Sequence, residues 1–64
     1  MTARITINGQ TYEVEPGQTI IDAVRGIGFN PSAFLFAVDG SPVPMDSPIQ
    51  DNWLIKAIKV ASGG

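Results

Sequence analysis

The sequence predicts an α+β fold: a four- to five-stranded sheet with one short helix packed on one face. Three observations carry this reading. Asn8 with Gly9, and Asp39 with Gly40, each interrupt an alternating apolar and polar run, which marks two hairpins. Between the hairpins lies one stretch with apolar residues at helical spacing. After them comes a single apolar run close to the last residue of the sequence.

The first hairpin is ARITINGQTYEVE. Asn and Gly together suit a two-residue type I′ turn, in which both residues need positive φ. That turn sets the register: Ile7 opposite Gln10, Thr6 opposite Thr11, Ile5 opposite Tyr12, Arg4 opposite Glu13 and Ala3 opposite Val14. Ala3, Ile5, Tyr12 and Val14 then share one face, while Arg4 meets Glu13 and Thr6 meets Thr11 on the other. A slip of one residue would mix the faces, so the register is well specified. Arg4 and Glu13 read as a surface pair that contributes little to stability.

The stretch PGQTIIDAVRGIGFNP follows as a turn and a helix of two to three turns. Thr19 is the expected N-cap, with Asp22 placed to favour the positive end of the helix. Ile20, Ala23, Val24 and Ile27 form one apolar stripe. Gly26 and Gly28 weaken the end, and Pro31 prevents continuation.

In AFLFAVDGSPVPM the same arithmetic places Phe36 opposite Val43 and Phe34 opposite Met45. Pro42 and Pro44 point the other way and cannot donate to a ladder, so the second arm is a short edge strand. Residues 46–52 read as a loop. Residues 53–60, WLIKAIKV, read as the last strand and a good sheet centre. One helix covers one face only, so Ile5, Tyr12, Val14, Phe34, Phe36, Val38, Ile55 and Ala57 are expected to meet its stripe.

The same alternation puts Leu35, Ala37, Lys56, Ile58 and Val60 on the opposite, open face, with Lys59 on the helix side near the strand end. Leu35, Ala37, Ile58 and Val60 are therefore the expected partner-binding patch, beside Lys56. Trp53 reads as a plug at the core edge. Asp46 and Asp51 read as solvated loop charges rather than metal ligands.

With 64 residues, the chain has room for one compact core and no deep cleft. It has no cysteine and no histidine, which removes disulfides, thiolate ligands, a cysteine nucleophile and the commonest general base. No catalytic residue and no metal ligand are expected. Four basic and six acidic residues give a net charge of −2, with no basic stripe for nucleic acid. No run is long enough to span a membrane and no signal-peptide pattern is present, so a cytoplasmic protein is expected.

The sequence closes on VASGG. Residues 1–60 are expected to form the domain and residues 61–64 a flexible tail. A glycyl carboxylate on such a tail can thread a narrow channel, because glycine has no Cβ. It can attack the α-phosphate of ATP, and the unhindered glycyl carbonyl is then open to a thiol, a sulfide or a lysine amine. A domain used in this way is the substrate of an activating enzyme. A Ser-Gly-Gly end also has the composition of a plain linker.

Taken together, ITINGQTYEV, TIIDAVRGIGF, AVDGSPVP and IKAIKVASGG resemble the ubiquitin-like β-grasp proteins. Within them the chain is most similar to the ThiS/MoaD sulfur carriers and the small archaeal modifier proteins. The compact length and VDGSPVP sit better with ThiS or the archaeal modifiers than with longer molybdopterin-synthase subunits. The resemblance implies a mixed sheet with the first and last strands parallel at its centre. It also implies C-terminal activation at Gly63 and Gly64 by a ubiquitin-activating-type (ThiF/MoeB-like) adenylating enzyme. That enzyme uses the ATP, and the domain holds no cofactor. The product is a thiocarboxylate handed to a sulfur-accepting enzyme, or an isopeptide link to a target-protein lysine. Lys56 and Lys59 are the candidate acceptors for self-linkage. The rival reading is a plain β-grasp interaction module that binds a partner through its open sheet face.

Overall fold

A computed structural model describes residues 2–60 of the chain. In order, the elements are β1 (Ala3–Ile7), β2 (Gln10–Val14), α1 (Ile20–Ile27), a 3-10 turn (Pro31–Ala33), β3 (Phe34–Val38), β4 (Ser41–Val43) and β5 (Leu54–Lys59). The strands form one sheet in the order β2-β1-β5-β3-β4. β1 and β5 run parallel, and every other neighbouring pair is antiparallel. This is the mixed α+β β-grasp arrangement, with the first and last strands side by side at the centre.

Both hairpins turn as their sequences dictate. Asn8 and Gly9 take φ of 52° and 78°, and Asp39 and Gly40 take 53° and 78°, the positive values of a type I′ turn. The β1–β2 register runs from Ala3 opposite Val14 to Ile7 opposite Gln10, as expected. In the second hairpin Phe36 does face Val43, but the ladder stops there, and Met45 does not pair with Phe34. The chain leaves the sheet at this point: the Ser47 N–H donates to the Pro44 carbonyl at 3.0 Å, closing a turn over residues 44–47. The Met45 carbonyl then accepts from the Ile21 N–H at 3.0 Å.

The helix is held at both ends. Thr19 caps it, its hydroxyl accepting from the Asp22 N–H at 3.2 Å. The Ile20 N–H donates to the Ser47 carbonyl at 3.2 Å, so the first-turn amides are already occupied. At the other end Gly28 takes φ of 107°, donating to Arg25 at 3.0 Å, while Phe29 donates to Val24 at 3.1 Å. Those two bonds make a Schellman cap, which needs a left-handed residue at Gly28.

Residues 44–52 do more than connect strands. The Gly17 N–H donates to the Ile49 carbonyl and the Ile49 N–H to the Gln18 carbonyl, both at 2.8 Å, and Thr19 bridges Pro48. Ile49 is thereby set into the core at 2% exposure. The core comprises Ala3, Ile5, Ile7, Val14, Ile20, Ala23, Val24, Phe34, Phe36, Ile49 and Ile55. Tyr12, Val38 and Ala57, expected on the same face, are half-buried and pack against this core. Tyr12 lies on the outermost strand. Edge-on ring contacts carry the packing outward, from Phe34 to Phe29 at 6.1 Å and from Phe29 to Tyr12 at 6.2 Å. No described helix is long and apolar enough to cross a membrane.

Candidate functional site

The helix leaves one sheet face without cover, and alternation decides what stands there. Leu54, Lys56 and Ile58 of β5 project from it, because Ile55 on the opposite parity is fully buried. Cross-strand pairing adds the neighbours. Lys56 lies beside Thr6 of β1 and Ala37 of β3, Ile58 lies beside Leu35, and Leu54 lies beside Arg4. Leu35, Leu54 and Ile58 are 62%, 57% and 50% exposed, a large apolar outlay for so small a domain. Between them a shallow depression of about 370 Å³ is lined by Thr6, Ala37, Leu54, Lys56 and Ile58, with the Asp39 and Gly40 turn at its rim.

Of the residues expected in the patch, Leu35 and Ile58 are directly paired and exposed, and Ala37 is half-buried between them and the turn. Val60 is different. The last strand covers Leu54–Lys59 rather than residues 53–60, and Val60 lies beyond it, half-buried. Its N–H donates to the Ala33 carbonyl at 3.0 Å, which ties the chain against the 3-10 turn. Leu54, at the opposite end of β5, adds an exposed apolar residue to the face. The signal for Leu54 was available, since it shares parity with Lys56 and Ile58, but Trp53 drew the expected strand start one residue early. Asn52 turns the chain at φ of 67° and Trp53 donates back to Gln50 at 3.3 Å, so the strand begins after them.

Trp53 is half-buried against the core, consistent with a plug at its edge. Lys56 and Lys59 are both exposed, Lys56 near the middle of the open face and Lys59 at the strand end opposite Phe34. Arg4 stands opposite Glu13 on β2, in the expected register. Among the described residues no group of three or more acidic, His or Cys side chains is placed to hold a metal ion. Gly63 and Gly64, expected as the reactive end, lie outside the described residues; the last tied position before them is Val60.

The face thus presents apolar side chains around one lysine, with Arg4 and Asp39 at the margins. The family of small archaeal modifier protein 2 matches residues 1–60, which spans every strand, the helix and the open face. With 60 of 64 residues matched and the strand order of the fold in place, the chain belongs to the small archaeal modifier protein 2 family, a ubiquitin-like β-grasp family.

Proposed function

We propose that the chain acts through the carboxylate of Gly64, activated by adenylation and then either thiocarboxylated or joined to lysine amines. The coarse role comes with the family: its members are small ubiquitin-like modifiers and carriers, acted upon by activating enzymes and joined to targets, and are not catalysts themselves. The finer chemistry follows from the tail. The Gly64 carboxylate attacks the α-phosphate of ATP on a ThiF/MoeB-like enzyme, with pyrophosphate leaving. The resulting acyl-adenylate is attacked by sulfide, giving the thiocarboxylate, or by a lysine amine, giving the isopeptide bond, with AMP leaving in either case.

The observation that carries this reading is the family match running to residue 60, immediately ahead of a tail that ends in Gly63 and Gly64. Residues 61–64 span at most about 14 Å when extended, which is reach enough to enter a neighbouring active site. The open face, with Leu35, Ala37, Leu54 and Ile58, serves as the surface by which the activating enzyme holds the domain. Lys56 and Lys59 are the acceptors for linkage between copies, both being exposed.

Incubation with ATP and the activating enzyme of the same organism, followed by intact-mass measurement, tests the proposal. An adenylate, or exchange of one oxygen for sulfur at Gly64, is the expected result. A search for target lysines bearing the tail's glycines separates modifier from carrier. The exposed apolar face favours one other reading, a module that only binds a partner. That reading prevails if Gly64 stays unmodified while a chain ending at Ser62 still binds.

A further inference from the structure

The sheet has two edges, and they are treated differently. β4 is three residues long, and its Pro42 sits opposite Ala37 with Pro44 just beyond the strand end. In this two-residue hairpin Val38 and Ser41 exchange hydrogen bonds, so at Pro42 the missing N–H is the one that would face outward. That edge cannot take another strand. β2 is five residues long, with an unbroken register and neither proline nor lysine.

The backbone at β2 is also oriented for pairing. Arg4 donates its N–H to the Trp53 carbonyl at 2.8 Å, so its polar groups face β5. Glu13, directly opposite Arg4, therefore turns its own N–H and C=O away from β1, and Thr11 does the same two residues earlier. Both residues are exposed, and among the described residues no strand lies beyond them. Residues 10–18 hold two carboxylates, Glu13 and Glu15, and no cation. On the helix side of the same edge stands Tyr12, half-buried against Phe29.

We infer that the outer edge of β2 receives an extended segment of a partner protein as a sixth strand, basic at the alternate positions that lie beside Glu13. The two backbone groups at Thr11 and two at Glu13 supply the ladder, and side chains supply the choice of partner. Residues of that segment on the open face meet the Glu13 carboxylate, so lysine or arginine fits there. Those on the helix side lie along Tyr12, so apolar residues fit between the basic ones. A second copy of this chain is the poorer occupant, because it brings its own Glu13 and Glu15 to an edge that already carries both. This docking mode does not draw on the chemistry of Gly64, and β2 lies two strands away from β5.

The test is a titration of the labelled full chain with a short capped peptide alternating lysine and valine, against a matched peptide alternating glutamate and valine. With the lysine peptide at ten times its dissociation constant, amide exchange at Thr11 and Glu13 is expected to slow by roughly tenfold, an effect that weakens with salt. Thr11→Pro removes an outward N–H as Pro42 does on the other edge, and is expected to abolish the protection at Glu13 while the β1 register is retained. Glu13→Lys keeps the backbone and is expected to reverse the preference toward the glutamate peptide; it decides the matter if Thr11→Pro does not fold. Equal response to both peptides overturns the inference, as do changes confined to Leu35, Leu54 and Ile58. Concentration-dependent protection of Thr11 and Glu13 without peptide assigns the edge to a second copy and overturns it too.

Discussion

Ile49 shows what a single side chain does when its sequence context is silent. It is an isolated apolar residue between Pro48 and Gln50, so no period of two or of 3.6 marks it as internal. Its burial comes from two backbone hydrogen bonds to Gly17 and Gln18 that set the residue at the helix entry, an arrangement visible only in three dimensions. Leu54 is the contrasting case, legible by parity with Lys56 and Ile58 once the strand start is placed correctly. Ile49→Ala removes a side chain 2% exposed and leaves a cavity beneath α1. The expected loss is about 2–4 kcal/mol in urea or thermal unfolding, while Ile49→Val loses about 1 kcal/mol. A loss under about 0.5 kcal/mol for Ile49→Ala would mean that residues 44–52 close over the gap.

At the level of elements, hairpins and helix were readable because each carries its own geometry. A two-residue turn with Asn and Gly, or Asp and Gly, assigns every side chain in its arms to a face, and the β1–β2 and Phe36–Val43 pairings follow. Thr19, with an apolar stripe after it, marks the helix start. Where elements stop depends instead on competition. Met45 fits the alternation of β4, yet its carbonyl is taken by the Ile21 amide. That competition also limits what the cap residue supports. With Ile20 and Ile21 bonded to Ser47 and Met45, Thr19→Ala orphans the Asp22 N–H and little else. The expected cost is about 1 kcal/mol, with Thr19→Ser close to the parent because it restores the acceptor. Equal losses for both substitutions, read from midpoints in denaturant, would place the effect in the threonine methyl group instead.

For the whole molecule, the parallel pairing of β1 with β5 makes the plan. Parity arithmetic alone does not order strands, and the central pair was implied by family resemblance rather than by any residue spacing. Once β5 is central, its exposed parity runs down the middle of the open face and its end carries the chain to Val60. Under the proposed function the handle is this open face and the reactive end lies beyond residue 60, which allows the two to be tested against each other. Ile58→Asp and Leu54→Asp place a charge on the apolar face without entering the core, since both residues are at least half exposed. Under the proposed function each raises KM for the activating enzyme by about tenfold or more, roughly 1.4 kcal/mol of lost docking, with kcat little changed. A chain lacking Gly63 and Gly64 does the reverse: it forms no adenylate, yet it competes with the parent chain for the enzyme. Adding Ile58→Asp to the truncated chain should relieve that inhibition, because the inhibitor then lacks its handle as well. If the truncated chain does not inhibit, the domain surface is not what the enzyme holds. If Ile58→Asp lowers kcat and leaves KM alone, the face acts on the chemistry at Gly64 rather than on docking.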